Sequence, residues 1–208
     1  GCGKRRINMA LSKIDVANMV TGATPVANGG TGLTSGTTNQ FLKFTGSTTL
    51  ASATDNAGIT EADQWRLTTE FTGDATPIAS NWERADTDGF GKIGTGMTES
   101  SGVFSFASTG VYLLTYQFIH QFDASDGYTL FDLETTTDNS TYSRISRHHM
   151  GGSGGDHRSG FCNAIFDVTN VSTHKVRVSV SNTNSSNSTK GSSSEQQTGV
   201  TFIRLGDT

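Results

Sequence analysis

Alternation of apolar and polar side chains runs longest over residues 102–122, GVFSFASTGVYLLTYQFIHQF, with a break at Ser108, Thr109 and Gly110. Side chains of a strand point alternately to its two faces. Tyr112, Leu114, Tyr116, Phe118, His120 and Phe122 therefore share one face, a nearly unbroken aromatic and aliphatic row. This row is expected to build a sandwich core. The opposite face is mixed. It is apolar at Val111, Leu113 and Ile119 and polar at Thr115, Gln117 and Gln121.

Shorter segments repeat the pattern. The spacing predicts strands over 65–71, 81–85, 92–94, 103–107, 128–136, 142–148, 161–168, 175–181 and 199–205, separated by turn formers at 86–89, 125–127, 137–140 and 182–194. Val176, Val178 and Val180 alternate with Lys175, Arg177 and Ser179, and Cys162, Ala164, Phe166 and Val168 alternate with Asn163 and Asp167. Many short strands at this spacing indicate an all-β sandwich or barrel occupying residues 64–208.

The pattern fades towards the N-terminus. Residues 9–20 carry Leu11, Ile14 and Met19 among small or polar residues, the spacing of a short amphipathic helix that is marginal alone. Residues 21–63 are rich in Gly, Thr, Ser, Ala and Asn, with apolar residues isolated at Val26, Leu33, Phe41, Leu42, Phe44, Leu50 and Ile59. One copy buries too little there to offset the entropy of ordering. Two outcomes remain: a flexible linker, or several copies wound about a shared axis. Residues 1–8 precede Met9 and read as an upstream extension, a translated flank or a processing remnant.

Composition sharpens this picture. Hydrophobic residues make up 33% and charged residues 16%, with 25 Gly and 2 Pro, so turn formers abound and helix formers are scarce. A formal net charge of −4 with scattered Lys and Arg gives no footprint for nucleic acid. No apolar run is long enough to span a membrane. Cys2 and Cys162 make neither a disulfide framework nor a zinc spacing, and Cys162 reads as a buried free thiol.

The most unusual polar cluster is Arg144, Arg147, His148, His149, His157 and Arg158, flanking the glycine-rich stretch 151–155. Three readings apply. The residues are the solvated ends of a hairpin, they contact an anionic ligand through Arg donors, or His residues of three copies meet at an axis and hold a metal. No metal is assigned. Asp123, Asp126, Asp132 and Glu134 invite comparison with a glycosidase pair, but Asp126 fits a turn and Asp132 and Glu134 the wet face of a strand. No nucleophile elbow or phosphate-cradling lysine motif occurs, so neither catalytic residues nor a cofactor is expected. Trp65 and Trp82 read as core in preference to a sugar platform. The N-x-[ST] triplets at Asn139, Asn170, Asn184 and Asn187 are expected by chance in so Ser-, Thr- and Asn-rich a chain.

Two resemblances bear on function. The stretch TPVANGGTGLTSGTTNQFL at 24–42, with the MALSKIDVANMV before it, resembles the Asn-Gly-Gly-Thr-Gly element of tail fibres and related appendages of tailed bacteriophages. Over roughly residues 65–208 the order of segments resembles the C1q/TNF-like jelly roll. Phe104 and Phe106 precede Gly110, Val111 and Tyr112, which open a long aromatic strand with Tyr116; a β-branched strand at 175–180 and a final strand with Phe202 follow. The resemblance implies an all-β jelly-roll head, typically a compact trimer; the residue pattern before it adds an extended segment in which 9–20 could form a short helix. Together they imply a homotrimeric virion fibre without enzymatic activity. It would attach to tail or capsid proteins through residues 9–63 (Leu11, Ile14, Met19 and Val26) and would bind a host-surface glycan or protein through loops of the head. Val111, Leu113 and Ile119 would lie at the trimer interface. The alternatives are a capsid-surface fibre or decoration protein and, in another class, a cellular carbohydrate-binding module or adhesin. The lack of a signal-like apolar segment and the NGGTG element weigh against the last.

Overall fold

Strict alternation survives folding. In the computed structural model, strand β8 (Gly110–Phe122) buries every second residue from Gly110 to Phe122 and leaves the residues between them half-covered. The structure describes residue 33 and residues 36–47, 49–53 and 58–208; the expected helix at 9–20 and the attachment residues Leu11, Ile14, Met19 and Val26 lie outside these. The chain divides into two units, residues 1–57 and 58–208. In the first, β1 (Phe41–Phe44) and β2 (Leu50–Ala53) form an antiparallel hairpin with Phe44 opposite Leu50. Phe41, Leu42 and Phe44 are exposed on it.

The second unit holds two antiparallel sheets. After β3 (Ala62–Leu67), β4 (Phe71–Thr72), β5 (Trp82–Arg84), β6 (Thr98–Ser100) and β7 (Val103–Ser105) come β8, β9 (Asp126–Thr136), β10 (Ser143–Gly152), β11 (Asp156–Val168), β12 (Lys175–Ser181), β13 (Ser188–Thr189) and β14 (Gly199–Gly206). One sheet runs β10-β9-β12-β7-β6; the other runs β4-β13-β8-β14-β3-β5, with β11 on the free side of β8. The chain passes from sheet to sheet after β5, β7, β8, β10, β11 and β12, as in a jelly roll. No helix occurs among the described residues.

The core lies between the sheets. The β8 row of Tyr112, Leu114, Tyr116, Phe118 and Phe122 faces Phe131 and Leu133 of β9 and Val176, Val178 and Val180 of β12, all buried. The Phe118 and Phe131 rings stack at 3.8 Å and 6°. Each such side chain contributes about 1.5–3 kcal/mol through burial. Trp65 and Trp82 pack edge-on against Phe104 at 5.8 and 5.3 Å, so both are partly buried against the core.

Several expected boundaries move. The 92–94 strand is a single bridge between Ile93 and Ala62, because Gly94 and Gly96 at φ 75° and 78° turn the backbone away from extension. The segments β4 and β13 went unforeseen, since two residues carry no period. The glycine-rich loop contracts, because β10 runs on to Gly152 and β11 begins at Asp156. A side chain at residue 152 would overlap the Phe122 ring, so glycine lets the strand pass over that ring.

Replacing Phe118 by Ala removes one side of the inter-sheet stack. Unfolding free energy in urea is expected to fall by about 3–5 kcal/mol; a loss under about 1 kcal/mol would show that this stack is not what joins the sheets.

Candidate functional site

The six basic candidates fall on two strands of different sheets. β10 edges one sheet and β11 the other. Alternation then sorts them. In register with β9, Arg147 stands opposite Asp132, His148 opposite Phe131 and His149 opposite Leu130. His148 thus turns inward, its ring 5.4 Å from that of Phe118, while Arg147 and His149 turn outward. On β11, Arg158 stands opposite His120 and His157 opposite Gln121, so these two point to opposite faces.

The outward arginines are engaged. Arg147 grips Asp132 with both arms, Nε to Oδ1 and Nη2 to Oδ2 each at 2.5 Å, and these bonds push its guanidinium pKa further up. Nη1 of Arg144 lies 3.9 Å from the same carboxylate. One strand over, Glu134 accepts from Arg177 Nε at 2.9 Å and Ser179 Oγ at 3.1 Å, and Arg177 stacks over Tyr142 at 4.1 Å. Asp132 is 6% exposed. Asp132 and Glu134 are therefore not the solvated row the sequence suggested but the acidic half of a cross-strand ion-pair ladder. A paired, part-covered Arg of this kind holds strands together.

The remaining members converge. His148, His149 and Arg158, with Met150, Gly151 and Ser159, line an open cleft of about 390 Å³. It runs between the free edges of β10 and β11. Arg158 donates from Nη2 to Asp156 at 2.9 Å. Asp156 also accepts from the Ser153 backbone N–H, and these bonds hold its carboxyl below the usual range. Gly160 is a precondition of this edge, since a methyl there would sit 2.9 Å from both the Phe118 and His148 rings. His157 lies on the far face of its sheet and does not join the cleft.

That far face carries a second feature. Val111, Leu113 and Ile119 are all half-buried on it. Leu113 stands between Ile165 of β11 and Ile203 of β14. Ile165 is 67% exposed and Phe161, on the same face of β11, 61%. Sequence reasoning named Leu113 but missed Phe161, Ile165 and Ile203; the available signal was the second row of the 161–168 run, opposite Cys162 and Ala164. An adjoining groove of about 620 Å³ is lined by Thr115, Gln117, Ile119, Phe161 and Asn163, among others.

Other candidates are structural. The Asp126 carboxylate opens β9 and accepts from Asn184 N–H at 2.8 Å, Asn187 Nδ2 at 2.5 Å and Thr183 Oγ1 at 3.3 Å. Asn187 is fully buried, which removes it as a modification site. Cys162 is buried, its thiol donates to the Phe131 carbonyl at 3.3 Å, and burial pushes its pKa up to about 11. No group of three or more His, Cys, Asp or Glu placed to hold a metal occurs among the described residues.

No family model matches the chain, and no curated protein sequence matches it. Solved structures do. Murine APRIL at pH 5.0 superposes with TM-score 0.53 at 14% identity, covering 70% of this chain and 98% of that one. Eiger TNF from S. frugiperda gives TM-score 0.54 at 16% identity, covering 71% and 93%. The fold is a TNF-like jelly roll. At these identities the likeness concerns the TNF-like architecture alone, and the two-sheet topology of residues 58–208 agrees with it.

One buried group makes this TNF-like core acid-sensitive. His120 is fully buried in the β8 row, its ring nitrogens 3.3 Å from Thr189 Oγ1 and 3.1 Å from Thr183 Oγ1. Burial lowers its pKa from 6.5 to about 4, with the Asp126 charge opposing. Unfolded chain binds this proton near pH 6.5 and folded chain only near 4, so stability is full above the first value and declines as pH falls to the second. The decline attributable to His120 is about 3 kcal/mol. Urea titrations of wild type and His120→Gln across pH 7 to 4 should diverge by this amount; parallel pH profiles would dismiss the assignment.

Proposed function

We propose that this chain is a structural virion fibre protein whose N-terminal segment attaches to the particle and whose TNF-like head, as a homotrimer, binds a receptor on the host surface. The observation that carries the reading is the far face of the β8 sheet. Ile165, Leu113 and Ile203 lie side by side across three strands, and Phe161 stands further along β11. Phe161 and Ile165 are exposed there on a strand with one unpaired edge. A lone subunit leaves this apolar row and this strand edge in water, which favours association. A closed threefold assembly covers the apolar row without leaving an open end, and the resemblance noted in the sequence carries the same expectation. The NGGTG element supports the virion placement.

A trimeric head presents each contact three times. Once one subunit is bound, the second and third contacts are intramolecular, so weak single sites add up to firm attachment. Of the six residues expected to contact the receptor, Arg147 is held by Asp132, whereas His148, His149 and Arg158 share the cleft beside the β10–β11 turn. Recognition is accordingly assigned to that cleft and its rim, and no catalytic step is invoked.

Light scattering on the full chain should give about three times its 22.0 kDa mass. The double variant Phe161→Glu, Ile165→Glu should reduce the mass towards that of one chain while circular dichroism stays β-rich. A single-chain mass for the wild type would defeat the trimer. Gold-labelled antibody on intact particles tests the virion placement, and absence of label on purified virions would reject it.

A further inference from the structure

Hydrogen-bonding capacity is distributed unevenly over the basic side chains. Arg66 is bound to Glu83, Arg84 to Asp63, Arg147 to Asp132, Arg177 to Glu134 and Arg204 to Asp207. Arg177 spends only one nitrogen, Nε, but the cleft between β10 and β11 holds an arginine more exposed than any of these five. Arg158 uses only Nη2, towards Asp156, so its Nε and Nη1 stay open, and its side chain is 52% exposed. The imidazoles of His148 and His149 and the hydroxyl of Ser159 have no side-chain hydrogen-bond partner among the described residues. All four groups line the same cleft of about 390 Å³. The carboxylate paired with Arg158, Asp156, is already engaged by the Ser153 N–H and by that arginine.

Unengaged donors gathered around an open recess form the complement of an oxyanion, and an Arg fork matches the planar oxygen pair of a carboxylate or the oxygens of a sulfate. The size of the recess adds a second condition. At about 390 Å³ it exceeds a bare inorganic anion and suits one or two sugar rings. Tyr128, 51% exposed with its ring 5.9 Å from that of His149, stands at the rim as an apolar plate for a sugar face. We infer that the β10–β11 cleft binds a saccharide carrying an oxyanion, a carboxylate or a sulfate, with Arg158 and His149 holding the charged group and Tyr128 packing on the ring. This rests on the reading of the head as a receptor-binding module and gives that receptor a chemical class. Arg147, bound to Asp132, and Arg144, beside the same carboxylate on the outer ladder, take no part.

The test uses the full chain and four probes with a common core: 3′-sialyllactose, lactose 6′-sulfate, plain lactose and inorganic sulfate, titrated by calorimetry. One or both charged lactoses should bind and plain lactose should not; which of them binds identifies the oxyanion. Arg158→Gln and His149→Gln should each weaken that binding about 10-fold or more, Arg158→Lys should recover part of it, and Arg144→Gln should leave it unchanged, all at wild-type mass. Equal binding of plain lactose, or no binding by either charged form, overturns the inference, and inorganic sulfate binding as tightly as the charged lactoses overturns its saccharide part. Adsorption of labelled heads to host cells separates the two levels. Adsorption that Arg158→Gln leaves intact removes the cleft but keeps the receptor reading, whereas charged lactose bound in the cleft by heads that do not adsorb keeps the cleft and removes the receptor reading.

Discussion

The rings of Phe118 and Phe131, stacked face to face at 3.8 Å, join the two sheets at the middle of the domain. Much of the remaining architecture can be traced from that contact. Because Phe118 must point inward, every even-numbered residue of β8 does so, and the odd-numbered row is committed to the opposite face. One strand thereby supplies the core and the surface on which copies are proposed to meet. A slip of one residue in β8 would exchange the two surfaces and bury Gln117 and Gln121 in place of Phe118 and Phe122, which makes the register strongly specified. The same stack fixes the edge of the sandwich, where His148 closes against Phe118 over the space that Gly160 leaves empty.

Legibility in the sequence followed pattern length. Thirteen residues of alternation in β8 and seven in β12 identified both strands nearly to the residue. The two-residue strands β4 and β13 were invisible, because their place is set by hydrogen bonds from distant segments and by the burial of Asn187, Ser188 and Thr189. The glycines at 151 and 152 read as a loop but lie in a strand, since the need for glycine comes from the Gly127 carbonyl at 151 and, at 152, from Phe122, thirty residues away in sequence.

The candidate site was legible only as a composition. A cluster of Arg and His in one hairpin shows that charge is present, not which charges are already compensated. That depended on Asp132 lying opposite Arg147 across a strand pair and on the inward turn of His148. Phe161 and Ile165 were overlooked because their strand was read for its Cys162 row; both rows are visible in the alternation, and only the assembled sheet shows which one lacks a cover.

Strand β14 sits between β8 and β3. It follows that residues 62–66 can join the β8 sheet only once the chain has been made through residue 203. Until then β3 and β5 have no route to β8, and the β8 edge that β14 will occupy stays open. Closure is thus a late, long-range event of the kind that slows folding, and it leaves an aromatic strand exposed along one side during synthesis. In the proposed trimer, assembly between copies would await that last insertion, because Ile203 of β14 completes the apolar row beside Leu113.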